Sequence, residues 1–397
     1  MNTLFENNEV IRFLEDEFIL LNKDTELIYF NINKRSVTNI FITQLGKEYL
    51  DNDFNIVEWL NKRVQYNRKH IMKICNKYNL VTPLERTIFF MGLSLNDTLW
   101  VKKKNSKKKW KDVNLYENKF TYEIAQLSFL GVSETTSSKF NSSPDVTTAG
   151  VIPKFWKRED KGIFLVKALE NSSDVISEII SYQIAKHLKI DCIEYTLANE
   201  MERVVTKCKL FTSQKIGYIP ISHYKLNTVD ELNNFINLNY LDNSHLQDMY
   251  ILDFITGNDD RHQGNFGVLV NNDNPKEIIK LAPIFDNGFA FFSKSKFEEE
   301  FKEMESTFRI CTPFVGMYDS YRFLITEETI NRHKERLLTL ISSLDIDFIF
   351  DILPKHSWRK PLILDWINDR VNLLLYNNIE IDITSKKNYN PYLDDFI

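Results

Sequence analysis

Ile255-Thr256-Gly257-Asn258-Asp259-Asp260-Arg261-His262-Gln263-Gly264-Asn265-Phe266-Gly267 is the stretch on which the fold turns. The apolar run 246–255 before it has the length of a helix, and Gly257 suits the position just past a helix end. A short polar loop follows, and residues 266–270 then read as a strand. Inside the loop Asp260 precedes Asn265 by five residues. A backbone held at one end by a helix and at the other by a strand can aim both side-chain oxygens into one cleft.

A second segment, Ala282-Pro283-Ile284-Phe285-Asp286-Asn287-Gly288, closes the geometry. Residues 266–270 and 278–285 have the apolar composition of two paired strands, with Asn271-Asn272-Asp273-Asn274-Pro275 as the turn. Pairing returns Asp286, just past the second strand, to the side of Asn265, just before the first. A carboxylate and an amide oxygen then converge, which suits magnesium, a cation that prefers hard oxygens and keeps several waters. The D-x-x-x-x-N spacing serves kinases in two ways: the aspartate handles the substrate hydroxyl proton and the asparagine binds metal. Asp, Asn and Gly crowd ordinary surface turns, so neither segment decides alone. Their order and their placement on helix, loop and hairpin carry the expectation.

Upstream, Phe164-Leu165-Val166-Lys167 ends an apolar strand on a lysine. In kinases such a lysine pairs with phosphates and with a carboxylate on the next helix. Glu178 is the candidate, with Asp174 as its rival. On a helix over 175–189 the main apolar stripe is Ile176, Ile179, Ile180, Ile184 and His187, and Glu178 lies roughly opposite, at ~100° per residue. The helix must therefore be covered on two sides. His262 is expected to be a hydrogen-bonding residue of the loop rather than a base.

The 397 residues carry 50 basic and 55 acidic side chains, a net charge of −5, which excludes an overall basic footprint for nucleic acid. Four separated cysteines, Cys75, Cys192, Cys208 and Cys311, form no C-x-x-C pattern, so neither a disulfide framework nor a zinc site is expected. No signal-peptide pattern opens the chain and no apolar run is long enough to span a bilayer. The expected setting is the cytoplasm, with no membrane contact. The lysine-rich run Lys102–Lys111 reads either as a solvated hairpin between 99–101 and 110–113 or as a phosphate-contacting patch.

Two short strands, 18–21 and 27–32, flank Asn22-Lys23-Asp24, and helices are expected within 55–78. Residues 133–148, rich in Ser, Thr and Asn, read as a mobile loop. A hairpin (151–156 and 163–167), the helix at 175–189, and strands at 193–197 and 203–211 follow. From about Val229 the pattern is mainly helical, interrupted by the 266–285 hairpin. This order predicts an α+β, two-lobed protein-kinase-like fold. Its parts would be an accessory N-terminal unit (1–115), an N-lobe (116–226) and a mainly helical C-terminal lobe (227–397).

At these residues the chain resembles the HipA-like serine/threonine kinases, a bacterial family that includes toxin kinases of toxin–antitoxin systems. The resemblance runs from about residue 142 to 286 and is carried by FLVK (164–167), EIISYQIAKHLKI from Glu178, GNDDRHQGN (257–265) and APIFDNG (282–288). It implies ATP and Mg2+ as cofactors, Asp260 as the catalytic aspartate, Lys167 on the ATP phosphates, and Asn265 and Asp286 on the metal. It also implies that the linker near 207–211, with Lys209 and Phe211, presents backbone groups to adenine. SSPDVTTAGVIPKFW (142–156) is similar to the family's nucleotide-covering loop, though Gly150 is the one glycine where ordinary protein kinases have several. Backbone N–H groups and the Thr147 and Thr148 hydroxyls would then cradle phosphate. In this family a serine of that loop can be self-phosphorylated, and Ser142 and Ser143 occupy the comparable region. The resemblance further implies a protein substrate and an antitoxin-like partner, with nucleic acid met only indirectly or through Lys102–Lys111. Two other functions fit the same pattern: a lipid kinase, which shares the D-x-x-x-x-N logic, and a catalytically silent kinase-fold binding module.

Overall fold

The computed structural model describes residues 16–64, 72–73, 75–76, 79–131, 143–148, 152–168, 173–307 and 325–376. Strands β1 (Asp16–Asn22) and β2 (Thr25–Asn33) pair antiparallel around Lys23 and Asp24, where the turn was expected. β3 (Ser36–Ile42) follows, then short helices α1 (Gln44–Tyr49), α2 (Ile56–Lys62) and α3 (Pro83–Phe89). Thr82 and Glu85 start α3 with a reciprocal capping box, and Pro83 stands where its missing N–H costs nothing. β4 (Leu99–Lys103) completes a sheet of order β3-β2-β1-β4. The alternation of β1 and β2 sends Phe18, Leu20, Ile28 and Phe30 to one face, against Leu60, Leu84 and Ile88. The other face, with Ile19, Leu21 and Trp100, packs on Trp110 and Ile163.

The segment after β4 departs from the expected hairpin: α4 (Trp110–Val113) is one helical turn, not a returning strand. Tertiary bonds decide it. The Trp110 backbone N–H donates to Asp24 Oδ1 (2.9 Å) and its indole to Gln214 Oε1 (2.8 Å). Lys103 and Lys104 are ion-paired with Asp16 and Glu17, so part of the basic cluster is neutralised within the sheet.

Helix α5 (Tyr122–Leu130) stops at Gly131, whose φ of 75° is left-handed. Residues Pro144–Thr147 form a buried 3-10 turn, so this end of the expected mobile loop is packed. Residues 132–142 of that stretch lie outside the described residues. β5 (Lys154–Glu159), β6 (Gly162–Ala168), α6 (Ser173–Leu188), β7 (Tyr195–Glu200) and β8 (Arg203–Lys209) then build a second sheet, order β5-β6-β8-β7. Helix α6 buries Ile176, Ile179, Ile180 and Ile184 and also Ser177, Glu178 and Ser181. Both of its stripes are covered, as the sequence required.

The remaining elements are β9 (Ile216–Pro220), α7 (Val229–Leu238), α8 (Asn243–Thr256), β10 (Gly267–Asn271), β11 (Asn274–Leu281), α9 (Glu298–Thr307), α10 (Glu327–Ser343), α11 (Asp347–Ile352) and α12 (Arg359–Tyr376). Apolar residues of α6, α8, α10 and α12 share one core. The hairpin β10–β11 is present, but it turns on Asn272 and Asp273, and β11 begins ahead of Pro275. Pro275 is tolerated because β11 is an edge strand, and two register shifts near Val270 absorb the extra residues. Strand β9, which the sequence pattern did not suggest, pairs with β10. Gly267 permits that pairing, since a Cβ there would overlap the Ile219 carbonyl oxygen.

The N-terminal sheet grips this hairpin. The Asn272 carbonyl accepts from Asn22 Nδ2 and from the Tyr49 hydroxyl, both at 3.0 Å, and Tyr218 N–H donates to the Asn96 carbonyl at 2.7 Å. Among the described residues no helix is long and apolar enough to cross a membrane.

Candidate active site

Helix α8 runs into Gly257, which at φ 61° adopts the left-handed cap its sequence position suggested. The loop beyond is held by its own side chains. Asn258 Nδ2 donates to Asp253 Oδ1 at 3.0 Å, while its oxygen accepts from the Asp260 backbone at 3.3 Å. Asn265 Nδ2 donates to the Asp260 carbonyl. That bond fixes the amide and leaves Asn265 Oδ1 buried with no partner among the described residues. A buried amide oxygen without a donor costs about 1–3 kcal/mol unless something binds it. Burial, and next the charge of Asp286, push the Asp260 carboxyl up to about 6.

Opposite this loop lies a buried charge cluster. Lys167 Nζ donates to Glu178 Oε1 at 2.5 Å and to Asp286 Oδ1 at 2.7 Å. The second Glu178 oxygen accepts from the Thr206 hydroxyl at 2.5 Å, so this carboxylate is fixed from two strands. Asp174, the rival, is instead hydrogen-bonded to Ser293, and burial together with the Glu178 charge pushes it up to about 6. Burial opposes ionisation of Lys167 and Asp286, but their mutual attraction wins. Lys167 stays protonated, and Lys167 with Lys154 holds Asp286 well below the usual carboxylate range. The Asp286 side chain is 36% exposed, against 7% for Lys167, so it is the member of the cluster that faces solvent. Its φ of 61° is left-handed, an uncommon conformation for aspartate that turns the chain sharply after β11. The Tyr195 hydroxyl accepts from the Asp286 N–H at 3.1 Å and supports that turn.

Arg261 joins the two halves. It is fully buried and donates to the Asn265 carbonyl (3.1 Å), the Phe285 carbonyl (2.6 Å) and Asn287 Oδ1 (2.6 Å). Asn265 and Asp286 are thus brought to neighbouring positions through one guanidinium. Among the described residues no group of three His, Cys, Asp or Glu side chains could hold a metal. The oxygen pair of Asn265 and Asp286 differs from such a cluster and fits magnesium, whose remaining positions go to water and phosphate.

Other expected site residues lie elsewhere. The Thr147 hydroxyl donates to the Leu93 carbonyl (2.8 Å), and that of Thr148 donates to the Pro144 carbonyl (2.7 Å) and accepts from the Trp156 indole (2.8 Å). Neither hydroxyl is bonded to the Lys167 cluster; each is engaged within the protein. Gly150 and Ser142 lie outside the described residues, and Ser143 is buried with its hydroxyl on Asp145 Oδ2 at 2.8 Å. Lys209 is exposed at the end of β8, beside Gly162. Phe211 packs against Tyr218 and Phe285, with centroids 5.6 and 5.5 Å away, and so forms part of an aromatic wall next to Asp286. His262 Nδ1 accepts from the Gly264 N–H at 3.0 Å, the loop-holding role expected of it.

No protein-family model matches the chain. Over 146 residues it is 30% identical to the serine/threonine-protein kinase CtkA of Helicobacter pylori, a match covering 32% of this chain and 44% of that kinase. The chain therefore aligns with less than half of that relative's length. The crystal structure of the H. pylori proinflammatory kinase CtkA is 19% identical, with a TM-score of 0.40, covering 57% of this chain and 89% of that one. HipA of Shewanella oneidensis MR-1, solved with HipB and operator DNA, superposes over 89% of this chain and 96% of its own, with a TM-score of 0.58 and 11% identity. The chain has the fold of HipA, and over 146 residues its sequence is similar to that of a serine/threonine kinase.

Within this HipA-like fold several residues that shape the site escaped sequence reasoning. Lys154 lies directly across the β5–β6 pair from Lys167 and is buried beside it. A lysine in the apolar strand IPKFW meets the criterion that selected Lys167, so that signal was available. Asp253 sits inside the apolar helix α8, and a buried carboxylate there implies a buried cation. Arg261 is that cation, with both nitrogens 2.9 Å from the Asp253 carboxylate. Tyr195, Thr206 and Asn287 carried no signal, because their roles depend on which strands meet.

Proposed function

We propose that this chain transfers the γ-phosphoryl group of ATP, with magnesium, to Ser or Thr hydroxyls of a protein. The observation that carries the proposal is the meeting of Lys167 with Glu178 and Asp286, together with a buried Asn265 oxygen that has no partner among the described residues. In this reading Lys167 and Lys154 hold phosphate oxygens, and Asn265 Oδ1 and Asp286 hold the metal. The chemistry a bound magnesium supplies there is neutralisation of phosphate charge. Asp260 orients the substrate hydroxyl. As the hydroxyl oxygen bonds to the γ-phosphorus and the bond to the β-phosphate oxygen breaks, Asp260 takes the hydroxyl proton and ADP leaves. A carboxyl raised to about 6 by burial is a stronger base than an ordinary aspartate, which suits that task near neutral pH. Positioning and charge neutralisation supply most of the barrier reduction, so few groups suffice. Similarity to the kinase CtkA and the HipA-like fold support the reading.

The arrangement we infer is an accessory unit over 1–115, an N-lobe over 116–226 and a helical lobe over 227–397. An antitoxin-like protein partner belongs to the same reading, supported by the likeness to a HipA solved with HipB and operator DNA. Phosphosite mass spectrometry after brief expression tests the function. New phosphoserine or phosphothreonine sites should appear with the wild type and vanish with Asp260→Ala. Identical phosphosites in both would overturn it.

A further inference from the structure

Arg261 uses every donor it has. A guanidinium carries five N–H groups, and here they meet Asp253 Oδ2, Asp253 Oδ1, the Asn265 carbonyl, the Phe285 carbonyl and Asn287 Oδ1. The pattern is directional. The bidentate pair with Asp253 roots the guanidinium in helix α8, at distances of 2.9 Å for both bonds. The other three bonds go to Asn265 itself and to the residues on either side of Asp286. These three bonds tie the backbone at Asn265 and the residues flanking Asp286 to one guanidinium plane. The hub is closed to water: Arg261, Asp253 and Asn287 are all fully buried. A planar fork with fixed angles holds such a spacing; a flexible ammonium does not.

We propose that Arg261 is the positioning residue that sets the Asn265–Asp286 separation and thereby the metal affinity of the site, with Asn287 as its contact on the Asp286 side. This rests on the phosphotransfer reading above. Arg261 touches neither nucleotide nor metal in this account. Its effect passes through the two oxygens it spaces, as outer partners of metal ligands do.

Two variants test it. Asn287→Ala removes one contact on the Asp286 side and leaves the Arg261–Asp253 pair; Asn287→Ser does the same should the alanine variant not fold. Arg261→Lys keeps the charge but gives up the fork. The probe is Mn2+, titrated by electron paramagnetic resonance in the presence of a non-hydrolysable ATP analogue, with analogue affinity measured separately in EDTA. Mn2+ should bind roughly 10-fold more weakly to folded Asn287→Ala, and weaker still to Arg261→Lys. Metal-free analogue affinity, which depends on Lys167, should stay as in the wild type. Unchanged Mn2+ affinity in a folded Asn287 variant overturns the positioning role. So does an equal loss of metal-free analogue affinity, which marks general collapse of the cleft. Wild-type protein that binds the analogue but no Mn2+ instead counts against the phosphotransfer reading itself.

Discussion

Asp260 and Asp286 feel each other's charge but are pushed in opposite directions. Burial with few compensating donors raises Asp260 to about 6, while the cations at Lys167 and Lys154 keep Asp286 ionised. A base and a metal ligand need those two states. Asp260→Ala should therefore lower the transfer rate by about 10²–10⁴-fold. Its melting temperature should not fall, because a costly buried carboxyl is removed; thermal unfolding beside initial rates checks both. The sign of the pH effect follows. Only unprotonated Asp260 can accept the hydroxyl proton, so the rate should fall about tenfold per unit as pH drops below about 6. A rate that is flat from about pH 5 to about pH 8 would contradict the assigned role. At this scale the sequence was informative where a residue type is rare in its surroundings, such as a lysine ending an apolar strand. It was silent on Thr147 and Thr148, whose hydroxyls look free in sequence but are taken by Leu93 and Pro144 once the chain packs.

Elements decide which of those side chains meet. Helix α6 places Glu178 over β6 and β8, where Lys167 and Thr206 bind its two oxygens. Glu178→Ala takes one of two carboxylate partners from the buried Lys167 ammonium and the acceptor from the Thr206 hydroxyl, and should cost about 3 kcal/mol in denaturant unfolding. Glu178→Gln, which keeps an acceptor, should cost less. Gly267→Ala drives a methyl into the Ile219 carbonyl and should cost about 2 kcal/mol by splaying β9 from β10. Period-2 and helical patterns made most elements legible, including both hairpins that frame the site. Two failures share one cause. Trp110–Val113 coils and β9 pairs because of partners far along the chain, Asp24 and Gln214 for the first and β10 for the second. Local pattern cannot report such partners.

Across the whole molecule, the N-terminal sheet and the segment leading into β9 are bonded to the β10–β11 turn. Asn22 lies 250 residues from Asn272, yet donates to its carbonyl and accepts from the Thr98 hydroxyl. Asn22→Ala takes one of two donors from the Asn272 carbonyl and the amide acceptor from the Thr98 hydroxyl, and should cost about 1 kcal/mol. If the grip unites the parts, circular dichroism and tryptophan fluorescence should shift together and remain coincident in that variant. The most direct test of the central claim is transfer of radiolabel from [γ-32P]ATP to protein by the purified chain, with and without magnesium, for wild type, Asp260→Ala and Asp286→Ala. The account predicts magnesium-dependent phosphoserine or phosphothreonine with the wild type alone; equal labelling by all three proteins, or none by the wild type with any protein offered, would contradict it.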